Sequence, residues 1–175
     1  MTTAPRPGLD PAAQLPSPAG PRLEIRALTV RQPWAWAILC GGKDVENRSR
    51  LMTGGYRGPA AIHAALAFDD AAFCDPEFMR ALSRAGMLGW PKDGLDAVWP
   101  RGVILGVADL ADEHCGTGEG VVAGWPVCSR WAWENERAHL VLANPRLLPR
   151  PVPWKGRLGL WRLDPAPVPG MEESL

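Results

Sequence analysis

Short stretches of aliphatic and β-branched residues recur along the chain and are separated by turn-forming residues. Residues 23–30 (LEIRALTV) alternate in part between apolar and polar side chains, which predicts a strand. Further apolar stretches of similar length predict strands at 60–64, 103–110, 138–143 and 158–163. The pattern therefore predicts a sheet built from several short strands.

Two helix signals interrupt these predicted strands. Pro33 precedes WAWAILCGG, where proline fits the first helical turn and the glycine pair supplies a stop. Asp75 supplies a capping carboxylate before Pro76, and this second helix closes at Gly86. Short strands broken by small helices favour an α+β fold, a mixed β-barrel with short peripheral helices, over a βαβ sandwich.

Both ends of the chain differ in composition from its middle. Residues 1–22 are rich in proline, alanine and glycine and contain few large apolar side chains, which predicts a disordered tail. Residues 164–175 have the same character and predict a second flexible tail. The remaining residues, 23–163, suffice for one folded domain.

The lengths of the apolar runs indicate whether the protein crosses a membrane or is secreted. The longest fall far short of the roughly 20 residues that span a bilayer. The first residues lack the apolar middle of a secretion signal. The sequence thus predicts a cytoplasmic protein without a membrane partner.

Cysteine spacing argues against a metal or redox site. Cys40, Cys74, Cys115 and Cys128 form no C-x-x-C pair, which predicts free, mostly buried thiols. His114 and Cys115 with Cys128 could supply three metal ligands, but so loose a grouping arises easily by chance. We therefore predict neither a metal nor another cofactor.

Formal net charge is zero, yet the charges are unevenly distributed. Lys and Arg outnumber Asp and Glu six to three in residues 23–63 and five to none in residues 144–163, whereas residues 64–143 carry six against twelve. Two basic segments that meet in the fold would form one positive face suited to phosphates. The alternative is that these charges are scattered over a solvated surface.

The most informative segment follows the first predicted helix. It reads G-x-K-x-x-E-x-R, with Gly41, Lys43, Glu46 and Arg48 at the defined positions. In an extended chain Glu46 and Arg48 share a face, and Lys43 joins them only if the backbone bends. Lysine offers a point charge to phosphate, arginine a planar fork, and glutamate an acceptor for an exocyclic amine. The alternative is an exposed charged turn whose ion pairs are worth roughly 0–1 kcal/mol each.

Two blocks of the sequence resemble a known family. ALTVRQPWAWAILCGGKDVENRSR followed by YRGPAAIHA is similar to the start of the ASCH domain, the activating signal cointegrator homology domain related to PUA-like barrels. The G-x-K-x-x-E-x-R pattern is the signature of that family. His139–Leu163 (HLVLANPRLLPRPVPWKGRLGLWRL) resembles its closing strands, so the resemblance covers most of the predicted domain.

The ASCH resemblance implies a PUA-like barrel that binds RNA or other nucleic acid at Lys43, Glu46 and Arg48. Some relatives are enzymes: one branch removes acyl groups from the N4 amine of cytidine, and ribonuclease activity is proposed for others. In the deacylase branch a threonine nucleophile stands at the position of Glu46. This chain has glutamate there, and nothing in the sequence places the downstream Thr53 beside Lys43, which weakens the deacylase interpretation.

Further candidates lie outside the signature. Tryptophans can stack on bases, and of the nine in the chain we select Trp154, which lies beside Lys155 and Arg157 in the acid-free closing segment. Arg31 and Gln32 lie at a strand-to-helix junction, where backbone N–H groups and an amide side chain can bind a phosphate or a base edge. Capping and packing explain these two residues equally well.

The candidate residues are compatible with three functions. The first is a module that binds RNA, single-stranded DNA or a nucleoside. The second is a hydrolase, acting on RNA phosphodiesters or N4-acylated cytidine, in which Lys43 and Glu46 form an acid/base pair. The third is a protein-interaction module whose protein partner is unknown. His63 lies at the end of a predicted strand. A lone histidine in that position is more often structural than catalytic, so we assign it no role.

Overall fold

The computed structural model describes residues 24–89, 98–115, 128–133 and 136–172. Residues 1–22, the predicted N-terminal tail, lie outside the described part. The elements in chain order are β1 Arg26–Gln32, α1 Trp34–Leu39, β2 Val45–Arg48, β3 Gly58–Phe68, a 3-10 helix Asp70–Cys74, α2 Pro76–Arg84, β4 Val103–Cys115, β5 Ala138–Pro153 and β6 Leu160–Arg162. Both predicted helices and all five predicted strands are present.

Within the described residues the strands form one mixed sheet in the order β2-β5-β4-β3-β1-β6. β1 and β3 pair in parallel, with Leu28 opposite Ile62, and the other pairs are antiparallel. Such a parallel pair needs a long crossover connection. Here the crossover carries α1 and β2, so the G-x-K-x-x-E-x-R segment lies between β1 and β3 in the chain.

Both faces of the sheet are buried. Leu28 and Ile62 belong to a core shared with α1 and α2. Ala27 and Ala61, their neighbours in sequence, point to the opposite face and belong to a second cluster that contains Trp161. Because successive side chains of a strand alternate between faces, two buried faces give strands that are apolar nearly throughout.

The second cluster includes two side chains from the predicted C-terminal tail. Val168 and Met171 are 1% and 0% exposed and pack against the sheet face that carries Trp161. The N–H of Leu163 donates to the carbonyl of Ile25 at 2.9 Å and leads the chain toward this face. The flexible tail at residues 164–175 stays a prediction, although two of its apolar side chains pack against the sheet in this structure.

The α+β class with short helices is confirmed, but the described strands do not close into a barrel. No ladder joins the edge strands β2 and β6 in the part of the chain that the structure describes. A side chain bridges part of this opening instead: Arg48 Nη2 on β2 donates to the carbonyl oxygen of Thr29 on β1 at 2.7 Å. The opening therefore lies between the signature strand β2 and the β1–β6 edge.

The cysteines also differ from the prediction. Cys40, Cys74, Cys115 and Cys128 are free, as predicted, but all four are exposed rather than buried. Each lies where an element ends or outside the regular elements, so the chain carries the side chain away from the core. Among the described helices, none combines the length and apolar character needed to cross a bilayer.

Candidate functional site

A cavity of about 420 Å³ occupies the opening between β2 and β1. Signature residues form its floor, and residues from β1, α1, β3, the segment before β5 and the approach to β6 complete it. The lining residues are Thr29, Arg31, Trp34, Lys43, Glu46, Asn47, Arg48, Ala65, Asp69, Trp133, Glu136, Arg157, Leu158 and Gly159.

The turn after α1 directs Lys43 into this floor. Gly42 has φ +76°, a left-handed conformation that glycine adopts without steric cost. At Gly41 an added Cβ would lie 2.9 Å from the Cα of Ala37, so the chain can approach the helix only with glycine there. The N–H of Lys43 then donates to the carbonyl of Ala37 at 2.9 Å. This bend brings Lys43 to the two signature side chains of β2, as the spacing requires.

Lys43 is almost fully buried, with 3% of its surface exposed. Its Nζ lies 3.3 Å from Oε2 of Glu46 and donates to the carbonyl of Val45. The rings of Trp34 and Trp131 lie 5.6 and 6.0 Å from the ammonium nitrogen, within the range of cation–π attraction. Burial lowers the pKa of the Lys43 amine below its usual value, and the neighbouring Glu46 carboxylate only partly opposes that shift.

Glu46 connects the two cations of the signature. Its side chain is largely buried, and Oε1 lies 3.2 Å from Nη2 of Arg48 while Oε2 faces Lys43. The same Arg48 nitrogen donates to Thr29 across the opening. The buried Nε of Arg48 has no hydrogen-bond partner among the described residues. Lys43, Glu46 and Arg48 thus form a chain of alternating charge that is not an exposed charged turn.

Two tryptophans form the aromatic part of the wall. Trp34 and Trp133 meet edge to face, with ring centroids 5.5 Å apart at an interplanar angle of 80°. Nε1 of Trp34 donates to Oδ2 of Asp69 at 3.0 Å, which fixes the ring. Asn47 fixes the backbone of the segment that carries Trp133. Its Oδ1 accepts from the N–H of Trp133 at 2.9 Å, and its Nδ2 donates to the carbonyl of Trp131 at 2.8 Å.

The charges of the cavity nearly balance. Four cationic side chains line it against three carboxylates, counted over the described lining residues: Arg31, Lys43, Arg48 and Arg157 against Glu46, Asp69 and Glu136. Arg31 and Arg157 are exposed and come from the two basic segments of the sequence, which the fold brings to one opening. The guanidinium of Arg157 lies 5.6 Å from the ring of Trp161. Such a cavity suits a ligand with few negative charges better than a buried polyanion.

Five of the eight predicted site residues meet here, namely Lys43, Glu46, Arg48, Arg31 and Arg157. Gln32 does not line this cavity in the described structure. Its side chain is 1% exposed, donates from Nε2 to the carbonyl of Pro100 at 3.1 Å and accepts from the N–H of Trp36 at 3.1 Å. Gln32 therefore joins β1 and α1 to a neighbouring loop, because alternation turns it away from Arg31.

Trp154 and Lys155 also lie outside the described lining. Trp154 packs against the second core cluster, and its carbonyl is hydrogen-bonded to Nε2 of His63 at 3.0 Å. Lys155 is exposed.

Burial lowers the pKa of His63, which favours a neutral structural imidazole. Thr53 is held elsewhere, since its Oγ1 donates to Oε2 of Glu113 at 2.5 Å.

Sequence reasoning missed Trp133, Asp69 and Glu136 as members of the lining. Trp133 follows Trp131 by two residues, but nothing local indicates that this segment returns to β2. Asp69 follows β3 directly and reaches Trp34 across 35 positions of sequence. Asn47 lies inside the signature, but on an alternating strand it belongs to the face opposite Glu46 and Arg48, so spacing alone does not predict it in the lining.

Comparison with known proteins adds likenesses at the level of structure. No protein-family model matches the sequence. No curated protein matches it either. The chain is similar to the crystal structure of ASCH from Zymomonas mobilis, with 14% identity, a TM-score of 0.47, and coverage of 80% of this chain and 87% of that one. A Tyr-to-Phe mutant of the Z. mobilis protein gives 14% identity, a TM-score of 0.46, and coverage of 80% and 90%.

Proposed function

We propose that the cavity binds one nucleotide unit of RNA or single-stranded DNA. The observation that carries this proposal is the convergence of cations from separate segments around two tryptophans. Arg31 comes from β1, Arg48 from β2 and Arg157 from the approach to β6, and all three line one opening with Trp34 and Trp133. Guanidinium groups are the preferred planar partners of phosphate oxygens.

Each part of a nucleotide has a suitable partner. Trp133 is half-buried, and a base stacked on such a ring gains roughly 1–3 kcal/mol. Both oxygens of Glu46 retain acceptor capacity beyond their ion pairs, so the carboxylate can accept a hydrogen bond from an exocyclic amine. Arg31 and Arg157 are exposed at the rim, where phosphates of a longer strand would run.

The size and charge of the cavity suit one nucleotide better than a longer stretch of nucleic acid. A volume of about 420 Å³ falls within the roughly 300–1,000 Å³ typical of small-ligand pockets. One net positive charge among the described lining residues matches a single phosphate. A phosphate oxygen near Arg48 would also offset the cost of its unpartnered Nε.

Removal of the two rim arginines should weaken binding through phosphate contacts alone. We expect Arg31→Ala and Arg157→Ala each to cost up to about 1 kcal/mol, roughly fivefold in Kd, because these groups are solvent-exposed. Each should also reduce the slope of log K against log salt concentration by about 0.7. Fluorescence anisotropy of short labelled RNA and DNA oligonucleotides over a salt series measures both quantities.

The matched control is Arg84→Ala, which removes an exposed arginine at the end of α2, outside the described lining of the cavity. Its affinity and salt slope should equal those of the wild type. Equal losses in all three variants would mean that only a diffuse surface charge attracts the strand. An unchanged affinity in both rim variants would refute the proposed phosphate path.

A hydrolase is the second candidate, and the environment of Lys43 favours it. Because its pKa is lowered, the amine of Lys43 becomes neutral at a lower pH than that of an ordinary lysine. The carboxylate of Glu46 lies 3.3 Å away, as an acid/base pair requires. If this amine is a general base, turnover of RNA or N4-acylated cytidine should rise with pH through the lowered pKa. Product analysis of the binding samples tests this, and intact substrate at every pH leaves binding as the function.

A further inference from the structure

A second cluster of chemically reactive side chains lies outside the cavity. His114 on β4 and His139 on β5 are directly opposite each other in the antiparallel ladder, with ring centroids 5.5 Å apart. Cys128 approaches the same pair from the segment before β5, and its Sγ lies 3.3 Å from Nδ1 of His139. One ligand-capable atom from each of the three residues lies within 4.8 Å of the others.

His139 is oriented as metal-bound histidines usually are. It is buried, and its Nε2 lies 3.0 Å from the carbonyl oxygen of Trp133. A carbonyl can only accept, so Nε2 carries the proton and Nδ1 presents its lone pair to Cys128. Metal-ligating histidines typically donate the other ring N–H to a backbone carbonyl or carboxylate, which fixes the tautomer. The carboxylate of Asp112, 3.8 Å from Nδ1 of His114, stands in a similar place behind the second imidazole.

We propose that His114, Cys128 and His139 bind a divalent transition-metal ion of the zinc type. Two imidazoles and one thiolate form a borderline-soft donor set, which selects zinc-like ions over magnesium or calcium. Three protein ligands leave a fourth tetrahedral position for water. This site is new with respect to the sequence prediction, which expected no metal and had weighed His114 with Cys115 and Cys128.

The present separations suit such an ion. Zinc bonds of about 2.3 Å to sulfur and 2.0–2.1 Å to nitrogen place tetrahedral ligand atoms about 3.3–3.6 Å apart. Sγ of Cys128 and Nδ1 of His139 already lie at 3.3 Å. The two separations that involve His114 are at most 4.8 Å and would shorten by rotation of this half-buried side chain. Cys128 is exposed, so an ion has a path to the cluster.

The ion would fix the segment that carries the aromatic wall. Cys128–Trp133 leads from the cluster to the cavity, and His139 is tied to the carbonyl of Trp133. On the neighbouring strand Asn47 pairs with His139 in the ladder and holds the backbone of Trp133. A metal bridge from Cys128 to β4 and β5 would therefore restrain Trp133 without entering the cavity.

Cobalt titration of the tag-free, metal-depleted full chain tests this site. Co²⁺ substitutes for zinc and produces a thiolate-to-metal charge-transfer band only when a cysteine sulfur is bound. We expect one ion per chain, a band that zinc abolishes by competition, and a higher melting temperature with zinc. Zinc content of protein purified without chelator, measured by mass spectrometry, should likewise approach one per chain.

Variants assign the ligands. Cys128→Ser should abolish the charge-transfer band, and His114→Ala should weaken cobalt binding by at least about tenfold. Both positions are exposed or half-buried, and circular dichroism of the metal-free variants checks that they fold. Cys115→Ser, next to His114 but outside the cluster, should retain the band and the affinity.

No stoichiometric binding by the wild type would overturn the proposal, as would a band that persists in Cys128→Ser or disappears in Cys115→Ser. None of these readouts involves nucleic acid, so they leave the proposed function of the cavity to its own test.

Discussion

Substitution of Lys43 by methionine is expected to lower the free energy of unfolding by about 3 kcal/mol. Methionine keeps much of the apolar stem between Trp34 and Trp131 but removes the charge opposite Glu46, whose carboxylate stays largely buried. Breaking a buried ion pair by removing one partner costs roughly 3–5 kcal/mol. The lower end applies because Glu46 keeps its contact with Arg48 at 3.2 Å. Chemical denaturation of the purified variant measures the loss.

The matched comparison is the double variant Lys43→Met/Glu46→Gln. It removes both members of the pair, so it should be more stable than Lys43→Met alone, although each change alone is destabilising. A double variant whose loss equals the sum of the two single losses would show that the pair is not coupled. Both variants that carry Lys43→Met should bind oligonucleotides less tightly, because the floor of the cavity then retains only one of its two signature cations, Arg48.

Phe78→Ala is expected to destabilise the fold by about 3–5 kcal/mol, the range for large aromatic truncations in a core. Phe78 on α2 is 0% exposed and meets the rings of Trp34, Trp36 and Trp99 at centroid distances of 5.5, 6.0 and 6.3 Å. Its removal leaves a cavity behind Trp34, which is a wall of the proposed nucleotide site. Thermal and denaturant unfolding measure the loss.

Phe73 provides the control for this prediction. It contacts Phe78 at 5.5 Å but is only half-buried, so Phe73→Ala should cost clearly less. A similar loss from both substitutions would contradict the view that α2 is anchored through Phe78. Normal oligonucleotide affinity in folded Phe78→Ala protein would show that the position of Trp34 does not depend on this packing.

Much of the fold could be predicted from local pattern, because helix stops and apolar strands depend on near neighbours. Pro33 and the glycine pair place α1 correctly, and Asp75 caps α2 by accepting from the N–H groups of Glu77 and Phe78. The extent of β5 was not predictable in this way. It continues to Pro153 through Asn144 at φ +47° and several prolines, supported by pairing with β4 across irregular register.

The candidate site could be predicted only where its residues are close in sequence. Lys43, Glu46 and Arg48 lie within six positions, and a single bend at Gly42 brings them together. The proposed metal ligands show the opposite case. His139 is 25 positions from His114 in sequence, and only the β4–β5 register places the two rings side by side. No spacing rule for local metal motifs covers that arrangement.

The central claim is that a nucleotide occupies the cavity beside Trp34 and Trp133, and indole N–H resonances test it most directly. The nine tryptophans give separate signals in a heteronuclear NMR spectrum, and single Trp→Phe variants assign them. Titration with 5′-mononucleotides should shift the signals of Trp34 and Trp133 in a saturable way and leave that of Trp99, buried in the core, unchanged. Shifts confined to tryptophans outside the cavity, or none at all, would contradict the proposed site.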